Sequence, residues 1–412
     1  MTATFVVHYS EIALKGKNRP EFTRYLRRNL RTSLLRLGPV KLTQSQSRFI
    51  VECEGDEGSA VSALQNVFGV AWFAPATILP ADYPAILEEG LEIARKSNAA
   101  TFMVDARRAD KSFPMSSLDL ARALGAEIVQ ATGKRVDLTT PELTVHVDVL
   151  KGRSLVYSQK TRGPGGLPVG TGGRVLHLFS GGIDSPVAAW LLMKRGCTPV
   201  YLHFYLAPTP EYAASSKVMG LVKLLASGTG RTTTILVPFA EYQLATAGVP
   251  GELEPSLFRR FMRMTAELLA PRFGAAAIST GDCLAQAASQ TVWNIGAFDA
   301  GSSLPILRPL LTYDKEEVIQ LARKLGTYDL SLEEYRDCCA ILTRHPRTRV
   351  RKETVDEYAS QLNFAELAHR TIENGTVVIF DLASGTTKMI PMKDLGSRPT
   401  SQESRTLATA SQ

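Results

Sequence analysis

A short glycine-rich segment, Ser180-Gly181-Gly182-Ile183-Asp184-Ser185, places the tightest constraint on how this chain folds. The apolar residues 175–179 precede it and are typical of a buried strand. Pro186 follows it, and proline is favoured in the first turn of a helix. The order of strand, glycine turn and helix predicts a parallel α/β sheet, with this turn at the carboxyl end of a strand, where such sheets bind ligands.

The residue types in this turn suit an anion. Two glycines let the backbone bend and approach a ligand, and the N–H groups of the turn and of the helix N-terminus then point at it. Ser180 and Ser185 add hydroxyl donors, whereas Asp184 repels a phosphate unless Mg²⁺ lies between them. The GxxxxGK[ST] pattern of a Walker A loop is absent from the sequence. A plain strand-to-helix turn capped by Asp184 is the alternative.

Composition limits the class of protein. The chain has 412 residues, of which 44% are hydrophobic and 21% charged, as in globular proteins. No apolar run reaches the roughly 18 residues of a membrane span, and the N-terminus lacks a secretory signal pattern. We therefore expect a cytoplasmic protein without a membrane partner. Five cysteines without a CxxC pair argue against a disulfide framework or a thiolate zinc site, and we assign no metal ligands.

Positive charge is concentrated at the N-terminus. The chain carries a net charge of +7, and residues 1–50 alone hold ten basic and two acidic residues, so the rest sums to −1. Within residues 20–37, apolar side chains recur at helical spacing with arginines between them: Phe22, Leu26, Leu30, Leu34 and Leu37. This pattern predicts a basic helix face that suits nucleic acid. A solvated basic face without a partner is the alternative.

Changes of pattern along the chain predict its organisation. Residues 1–57 and 58–162 each mix strands and helices as small α+β domains do. The second of them includes one continuous strand at 71–79. The Gly- and Pro-rich residues 163–173 predict a linker, and residues 174–396 alternate strands and helices as a doubly wound, mainly parallel sheet does. The polar residues 397–412 predict a disordered tail.

Several stretches together resemble one protein family. SGGIDS is the motif of the PP-loop ATP pyrophosphatases, which cleave ATP to AMP and pyrophosphate and use the AMP to activate a carbonyl oxygen. The flanking stretches resemble the tRNA 4-thiouridine synthetase (ThiI) family, and they occur in one order within residues 1–350: YSEIALKGKNRPEF, DVLKGRSLVYSQKTRGPGGLPVGT, STGDCLAQAASQT, ILRPLLTYDKEEVI and GTYDLSLEEYRDCCAI. The resemblance implies a ferredoxin-like domain, a THUMP RNA-binding domain and an α/β PP-loop catalytic domain.

The same resemblance implies a set of ATP contacts. They are His177, Leu178, Ser180, Gly181, Gly182, Asp184, Ser185, Leu202, His203, Arg259, Gly281 and Gln290. The positions fall at or just beyond the ends of predicted strands, where a parallel sheet binds ligands. Lys315 is a candidate partner for phosphate or for transition-state charge, and we class it with Asp184 as catalytic. A half-buried, satisfied His203, a surface Arg259 and an ordinary helix-start Lys315 are the alternatives.

Two positions depart from the family's usual TGE..GQ pattern. This chain has Asp282 in place of the glutamate and Ala285 in place of the second glycine. Aspartate keeps the charge. We expect the alanine to narrow the approach of the backbone to a ligand, because it carries a Cβ.

The resemblance also implies that Cys339 carries sulfur as a persulfide. Adenylation makes an oxygen a good leaving group, and the terminal sulfur of a persulfide is a nucleophile that displaces AMP. Neighbouring basic residues favour a thiolate or hold RNA phosphate: Arg344, His345, Arg347, Arg349 and Arg351. A buried structural pair, Cys338 with Cys339, is the alternative.

Many family members carry a C-terminal rhodanese domain with a second cysteine. No cysteine follows Cys339 here, so we expect this chain to lack that domain and to receive sulfur directly from a donor such as a cysteine desulfurase. Regeneration then needs Cys338, one of Cys53, Cys197 and Cys283, or an external reductant.

These observations predict an enzyme that uses ATP and Mg²⁺ to adenylate O4 of uridine 8 in tRNA and replaces that oxygen with sulfur. Sulfur supply for thiamine thiazole synthesis is a related prediction, and a second copy of the chain is a candidate partner. The alternatives are a PP-loop enzyme acting on a small molecule or carrier protein, and a non-catalytic RNA-binding protein. Pyrophosphate release that depends on tRNA distinguishes them.

Overall fold

The chain forms two compact units, Met1–Gly166 and Leu167–Gln412, each with its own apolar core. The computed structural model describes residues 2–9, 11–45, 47–335, 338 and 346–395. Across those residues, no helix combines the length and the apolar character needed to cross a membrane.

The first unit consists of β-sheets with helices packed on them. Its strands are β1 (Thr2–His8), β2 (Val40–Ser45), β3 (Arg48–Glu54), β4 (Trp72–Pro75), β5 (Thr77–Pro80), β6 (Thr101–Arg108), β7 (Arg135–Val136), β8 (Leu143–Leu150), β9 (Arg153–Tyr157) and β10 (Thr161–Arg162). Its α-helices are α1 (Arg19–Leu34), α2 (Glu57–Leu64), α3 (Tyr83–Lys96) and α4 (Ser117–Thr132), with 3₁₀ turns at Glu11–Asn18 and Leu35–Leu37. One sheet has the strand order β10-β4-β1-β3-β2 and the other β5-β9-β8-β6-β7.

Helix α1 is amphipathic, as its sequence predicts. Leu26, Leu30 and Leu34 are fully buried against the first sheet. The side chains between them are exposed and basic: Arg24, Arg27, Arg28 and Arg31. The guanidinium groups of Arg24 and Arg28 lie 5.7 and 4.8 Å from the ring of Tyr25. The helix therefore presents a face of arginines to solvent.

Arg48 is an exception among the N-terminal basic residues. It is 6% exposed and forms an ion pair with Asp148 on strand β8 of the other sheet. Tyr157 donates a hydrogen bond of 3.0 Å to the same carboxylate. Leaving either charge buried without its partner would cost roughly several kcal/mol in desolvation. The ion pair therefore links the two sheets of the unit, and Arg48 is not part of the basic face.

The prediction of one continuous strand at residues 71–79 is wrong. Strand β4 pairs with β1 in the first sheet, whereas β5 pairs with β9 in the second, and the chain changes sheets at Ala76. The N–H of Ala76 still donates to the carbonyl of Thr4, at 2.9 Å. Strands β4 and β10 also extend the first sheet beyond residues 1–57. Sequence periodicity does not show a change of sheet because the mostly apolar sequence continues from β4 into β5.

The second unit contains one mixed sheet between helical layers. Its strands are β11 (Arg174–Leu178), β12 (Thr198–Tyr205), β13 (Arg231–Pro238), β14 (Ala275–Ser279), β15 (Ile306–Leu307), β16 (Thr376–Asp381) and β17 (Thr387–Pro391). Its α-helices are α5 (Asp184–Lys194), α6 (Pro210–Ala214), α7 (Lys217–Leu225), α8 (Ala240–Ala245), α9 (Glu254–Phe273), α10 (Val292–Asp299), α11 (Lys315–Leu325), α12 (Tyr328–Leu332), α13 (Lys352–Gln361) and α14 (Phe364–Glu373). Short 3₁₀ turns lie at Ala226–Gly228, Gly251–Leu253, Ala288–Gln290 and Met392–Asp394.

The sheet of the second unit has the order β15-β14-β11-β12-β13-β16-β17. The strands from β15 to β13 run parallel, and β16 and β17 add antiparallel pairs at one edge. Alternate residues of the central strand β11 pack on opposite faces, because Leu176 lies in the core cluster with helix α9 and Val175 packs with Leu192 of helix α5. The predicted doubly wound, mainly parallel α/β fold is confirmed.

Candidate functional site

A cleft lies at the carboxyl ends of β11, β12 and β14 in the second unit. Its empty space is about 710 Å³, a volume that includes open solvent at its mouth. Most of the residues predicted as ATP contacts line it: Leu178, Ser180, Asp184, Ser185, Leu202, His203, Arg259, Gly281 and Gln290. Apolar side chains of Phe204, Phe258 and Met262 complete one part of the wall, and the sequence analysis did not single them out.

The glycine-rich turn connects β11 to helix α5 at one side of this cleft. The hydroxyl of Ser185 donates to the carbonyl of Ser180 at 2.8 Å, and the N–H of Gly182 donates to the hydroxyl of Ser180 at 3.3 Å. Helix α5 begins at Asp184, and within the described chain no side chain caps its N-terminus. Asp184 is therefore not a helix cap, and the first N–H groups of the helix are disposed for an anion.

Close packing explains two of the predicted glycines. A Cβ at Gly281 would lie 3.0 Å from the backbone nitrogen of Ser185, so only glycine lets this loop approach the start of helix α5. A Cβ at Gly181 would lie 3.0 Å from Cε of Lys217 and 3.3 Å from the ring of Tyr335. At Gly182 the nearest described atom would be 3.5 Å away, so the structure leaves space beside it.

Asp184 is held by two side chains from distant parts of the sequence. The ammonium group of Lys315 donates to one carboxylate oxygen at 2.7 Å, and the amide of Gln286 donates to the other at 2.9 Å. Lys315 is the first residue of helix α11, whose N-terminus is capped by Asp314. Lys315 does not appear among the residues that line the cleft, but its ion pair with Asp184 places its charge at the edge. Gln286 was missed by the sequence analysis.

Asp282 forms the charged floor of the cleft with two arginines. Arg259 donates to both of its oxygens, at 2.9 and 2.7 Å, and Arg308 donates to it at 3.1 Å. Burial by itself raises the pKa of this carboxyl, but Arg259, Thr280 and Arg308 outweigh burial and lower the pKa to about 2. Arg259 is consequently a fixed group of the cleft and not a surface charge.

The two predicted histidines have different positions. His177 is fully buried and does not line the cleft; its Nε2–H donates to the carbonyl of Ser185 at 2.9 Å, and its Nδ1 lies 3.2 Å from the hydroxyl of Ser279. Burial lowers the pKa of His177 to about 4, so the ring is neutral and positions the glycine turn from behind. His203 lines the cleft, and its Nδ1–H donates to the carbonyl of Phe179 at 2.8 Å.

The loop after Asp282 contains the departure from the family pattern. Ala285 has a φ of +61°, a left-handed conformation that glycine adopts without strain. Its N–H donates to the carbonyl of Gln290 at 3.0 Å, so the alanine keeps the turn but strains the backbone. The Oε1 atom of Gln290 is buried and has no hydrogen-bond partner among the residues that the structure describes. That acceptor, in the lining of the cleft, suits a donor group on a ligand.

The cysteines fall into two groups. Cys338 lines the cleft, and its thiol donates to the carbonyl of Phe204 at 3.1 Å. Cys339 lies outside the described residues. Burial raises the pKa of Cys53, Cys197 and Cys283, and that of Cys283 reaches about 11, so these thiols stay protonated at neutral pH.

The described residues on either side of residues 335–346, here called the cysteine segment, are held by side chains from other elements. Before it, Lys217 donates to the carbonyls of Ser331 and Glu333, at 2.8 and 2.5 Å. After it, the side chain of Asn294 donates to the carbonyl of Arg347 at 2.8 Å and accepts from the N–H of Val350 at 2.9 Å. No sequence motif points to Lys217 or Asn294. Only the fold brings these two residues close to the ends of this segment.

The donor set around Asp184 allows one kind of metal. No group of three or more His, Cys, Asp or Glu side chains converges as metal ligands in the described parts of the chain. Mg²⁺, however, commonly takes one or two carboxylates together with substrate phosphates and water. The single carboxylate of Asp184 beside the glycine turn fits that requirement.

Comparisons with known proteins identify three matching family models. The description "Thiamine biosynthesis protein (ThiI)" covers residues 170–364, "ThiI ferredoxin-like domain" covers residues 4–74, and "THUMP domain" covers residues 81–159.

Related sequences match along nearly the whole chain. A protein of Moorella thermoacetica described as a probable tRNA sulfurtransferase is 37% identical over 91% of this chain and 97% of its own length. A protein of Geobacillus kaustophilus with the same description is 38% identical over 92% of this chain and 96% of its own. A crystal structure described as a 4-thiouridine synthetase–RNA complex with bound ATP has a TM-score of 0.83 and 30% identity, covering 92% of this chain and all of its own.

Proposed function

This chain belongs to the ThiI family of tRNA sulfurtransferases, and we propose that it adenylates O4 of uridine 8 in tRNA and replaces that oxygen with sulfur from a cysteine persulfide. The predicted ferredoxin-like, THUMP and PP-loop architecture is confirmed by the family matches and the structural likeness. One observation carries the proposal: the glycine turn and Cys338 line the same cleft.

The lining of the cleft supports one orientation for ATP. The uncapped N-terminus of helix α5 and the hydroxyls of Ser180 and Ser185 suit the phosphates, because N–H and O–H donors at a helix start attract anions. The apolar walls at Phe258 and Met262 suit the adenine ring, and the unpartnered Oε1 of Gln290 suits its exocyclic amine. The related 4-thiouridine synthetase structure contains ATP, which agrees with this assignment.

Lys315, and Asp184 through a bound Mg²⁺, would neutralise negative charge on the phosphates. Mg²⁺, when bound at Asp184, would neutralise phosphate oxygens and make pyrophosphate a better leaving group. Lys315 now donates to Asp184 and is close enough to share its charge with an incoming phosphate. Gln286 keeps the carboxylate oriented through its other oxygen.

In the first chemical step, O4 of the uracil attacks the α-phosphorus of ATP. The bond between α- and β-phosphates breaks and pyrophosphate leaves. In the second step, the terminal sulfur of the persulfide attacks C4, and AMP leaves with the original oxygen. A second thiol then cleaves the sulfur–sulfur bond, which frees 4-thiouridine and leaves a disulfide that a reductant must open.

We assign the persulfide to Cys339, on the family resemblance. Cys338, one peptide bond away, is a second candidate because its thiol lies in the cleft. The three remaining cysteines are poor candidates for any of these steps, since burial keeps their thiols protonated. A cysteine desulfurase is the expected sulfur donor, and we keep a second copy of the chain as a candidate partner.

The arginine face of helix α1 supports tRNA as substrate. Its exposed guanidinium groups suit phosphates, and the THUMP match and the RNA present in the related synthetase complex agree with an RNA substrate. Affinity for tRNA is therefore expected to fall steeply with salt concentration. A tRNA-modifying enzyme is expected in the cytoplasm, and sulfur supply for thiamine thiazole synthesis remains a second proposed use of the same persulfide.

Pyrophosphate release and nucleoside analysis test the proposal together. The purified chain is incubated with ATP, Mg²⁺, a sulfur donor, a reductant and unmodified tRNA, and digested nucleosides are analysed by mass spectrometry. We expect pyrophosphate only when tRNA is present, and 4-thiouridine at position 8. Ser180→Ala is expected to lower both, whereas Ser227→Ala, at a half-buried serine outside the cleft, serves as the matched control. Pyrophosphate release with a small molecule alone, or none with tRNA, contradicts the proposal.

A further inference from the structure

The surface beside the cleft carries an exposed aromatic residue whose position calls for a partner. Trp293 is 57% exposed and the preceding Val292 is 66% exposed, at the start of helix α10. Large apolar side chains that stay exposed side by side commonly mark an interaction site. Other residues pack helix α10 against the protein, because Ala297 and Phe298 on it are buried.

A cation is stacked on this aromatic ring. The guanidinium carbon of Arg349 lies 4.0 Å from the centre of the Trp293 ring, and Arg349 is itself exposed. The segment that carries Arg349 is fixed in place, because Thr291 donates to the carbonyl of Thr348 at 2.7 Å and Asn294 binds the backbone on both sides. Trp293 and Arg349, here called the Trp–Arg platform, thus stack on each other, and the backbone on either side of Arg349 is held by hydrogen bonds.

The platform lies close to the cleft through short stretches of chain. Gln290, which lines the cleft, is three residues before Trp293. On the same helix, Phe298 lies 4.7 Å from the guanidinium of Arg259, another lining residue. The cysteine segment ends at Pro346, three residues before Arg349. Along the chain, Trp293 therefore follows a residue of the proposed nucleotide site, and Arg349 follows the cysteine segment.

The chemistry of the platform selects its occupant. Unpaired RNA bases stack on aromatic rings and on arginine planes, and a guanidinium also attracts the phosphate that joins two such bases. Further exposed basic residues follow along the chain, at Arg351 and Lys352. Protein–protein interfaces are also enriched in tryptophan and arginine, but lysine is depleted there, so the exposed Lys352 favours RNA over a protein partner.

We propose that the Trp–Arg platform stacks one unpaired base of the RNA substrate and so positions the target nucleotide over the cleft. This inference rests on the proposed function. Base stacking there fixes where the RNA strand leaves its helix, while the basic N-terminal helix contributes affinity without positioning the reacting base. Trp293 and Arg349 are accordingly positioning residues, and they take no part in bond making.

Fluorescence of Trp293 tests the stack directly. The chain has three tryptophans, so the double variant Trp72→Phe and Trp190→Phe leaves Trp293 as the only one. We expect unmodified tRNA to quench its emission in a saturable way, at the same concentrations at which labelled tRNA binds. Binding of tRNA without any change in Trp293 emission overturns the inference.

Substitutions separate stacking from charge. Trp293→Ala is expected to raise the Kd or KM for tRNA roughly 5- to 100-fold, which is what loss of one base–aromatic stack causes, while the affinity for ATP stays unchanged. Trp293→Phe is expected to restore most of the loss. Arg349→Ala is expected to reduce the slope of log Kd against log salt by about one, whereas Trp293→Ala leaves that slope unchanged.

A matched control and an alternative outcome complete the test. Leu268→Ala removes an apolar side chain, 40% exposed, about 14 Å further along helix α9 than Arg259, and is expected to have no effect on tRNA. If Trp293→Ala leaves tRNA binding intact but slows sulfur delivery from a donor protein, the platform binds that protein and the inference is overturned. If wild-type protein neither binds nor thiolates tRNA, the proposed function fails as well; if wild type thiolates and Trp293→Ala matches it, the inference alone fails.

Discussion

The phenolic oxygen of Tyr335 lies 2.7 Å from Nε2 of His203, and this contact joins the cysteine segment to the wall of the cleft. Because Nδ1–H of His203 donates to the carbonyl of Phe179, its Nε2 accepts the proton of the Tyr335 hydroxyl. The ring of Tyr335 also limits the space at Gly181 of the glycine turn. Tyr335 thus lies beside the glycine turn of the proposed nucleotide site and is also the first residue of the cysteine segment.

Tyr335→Phe is expected to separate the two half-reactions. Loss of the hydroxyl removes the bond to His203 but keeps the ring beside Gly181, so ATP binding and pyrophosphate release should stay within about twofold of wild type. Formation of 4-thiouridine should fall about tenfold, because the cysteine segment loses one hydrogen bond that holds its first residue in position. Rapid-quench measurement of both products checks this, and Tyr212→Phe, an exposed tyrosine on helix α6, is the control.

Lys315→Ala is expected to slow adenylation about 100- to 1,000-fold, because a positioned charge in the transition state typically contributes that much. The substitution leaves the carboxylate of Asp184 with Gln286 as its described partner, which makes the approach of phosphates less favourable. Pyrophosphate release with saturating ATP measures the effect. Lys324→Ala, in the last turn of the same helix, removes equal charge and is expected to leave the rate unchanged. Equal rates for both variants would show that Lys315 takes no part in adenylation.

Ala285→Gly is expected to increase the free energy of unfolding by about 0.5–1 kcal/mol. A left-handed alanine costs roughly 1–2 kcal/mol, and the extra entropy of glycine in the unfolded chain offsets part of the gain. The reference is Ala287→Gly in the same loop, where φ is −130° and glycine is expected to destabilise. Urea unfolding of the two variants checks the sign, and a destabilised Ala285→Gly variant would contradict the strain.

Acid is expected to weaken the second unit through His177. Burial lowers its pKa in the folded state to about 4, below the ordinary value near 6.5, so the unfolded chain binds the proton more tightly. Stability is therefore complete above pH 6.5 and decreases as the pH falls towards 4, by up to about 3 kcal/mol. Urea unfolding followed by Trp190 fluorescence measures it. His177→Gln should flatten the profile, and the exposed His369→Gln should not.

Local signals in the sequence identified many residues of this site but few of the contacts between them. The strand, glycine turn and helix around Ser180–Ser185 follow from residues that are neighbours in the chain, and helix α1 follows from its own periodicity. The Asp184–Lys315 and His203–Tyr335 pairs join residues 131 and 132 positions apart. No periodicity or spacing reports such pairs, because only the folded sheet brings their elements together.

Burial likewise depends on contacts that the sequence does not display. Arg48 has the same side chain as the arginines of helix α1, but it is buried and forms an ion pair with Asp148 of another sheet. The change of sheet at Ala76 is hidden for a similar reason, since the mostly apolar sequence continues through it from β4 into β5. Cys339 stays a prediction, because it lies outside the described residues.

Trapping the activated RNA tests the central claim most directly. With Cys339→Ser, ATP and unmodified tRNA, intact mass analysis of the RNA should show one added AMP on the strand and no 4-thiouridine. Addition of a sulfur donor should change nothing, whereas Cys338→Ser alone should slow but not abolish product if Cys339 is the carrier. Wild-type levels of 4-thiouridine from Cys339→Ser, or no added AMP together with no release of pyrophosphate, would contradict a site in which one cleft adenylates the base and an adjoining cysteine replaces its oxygen.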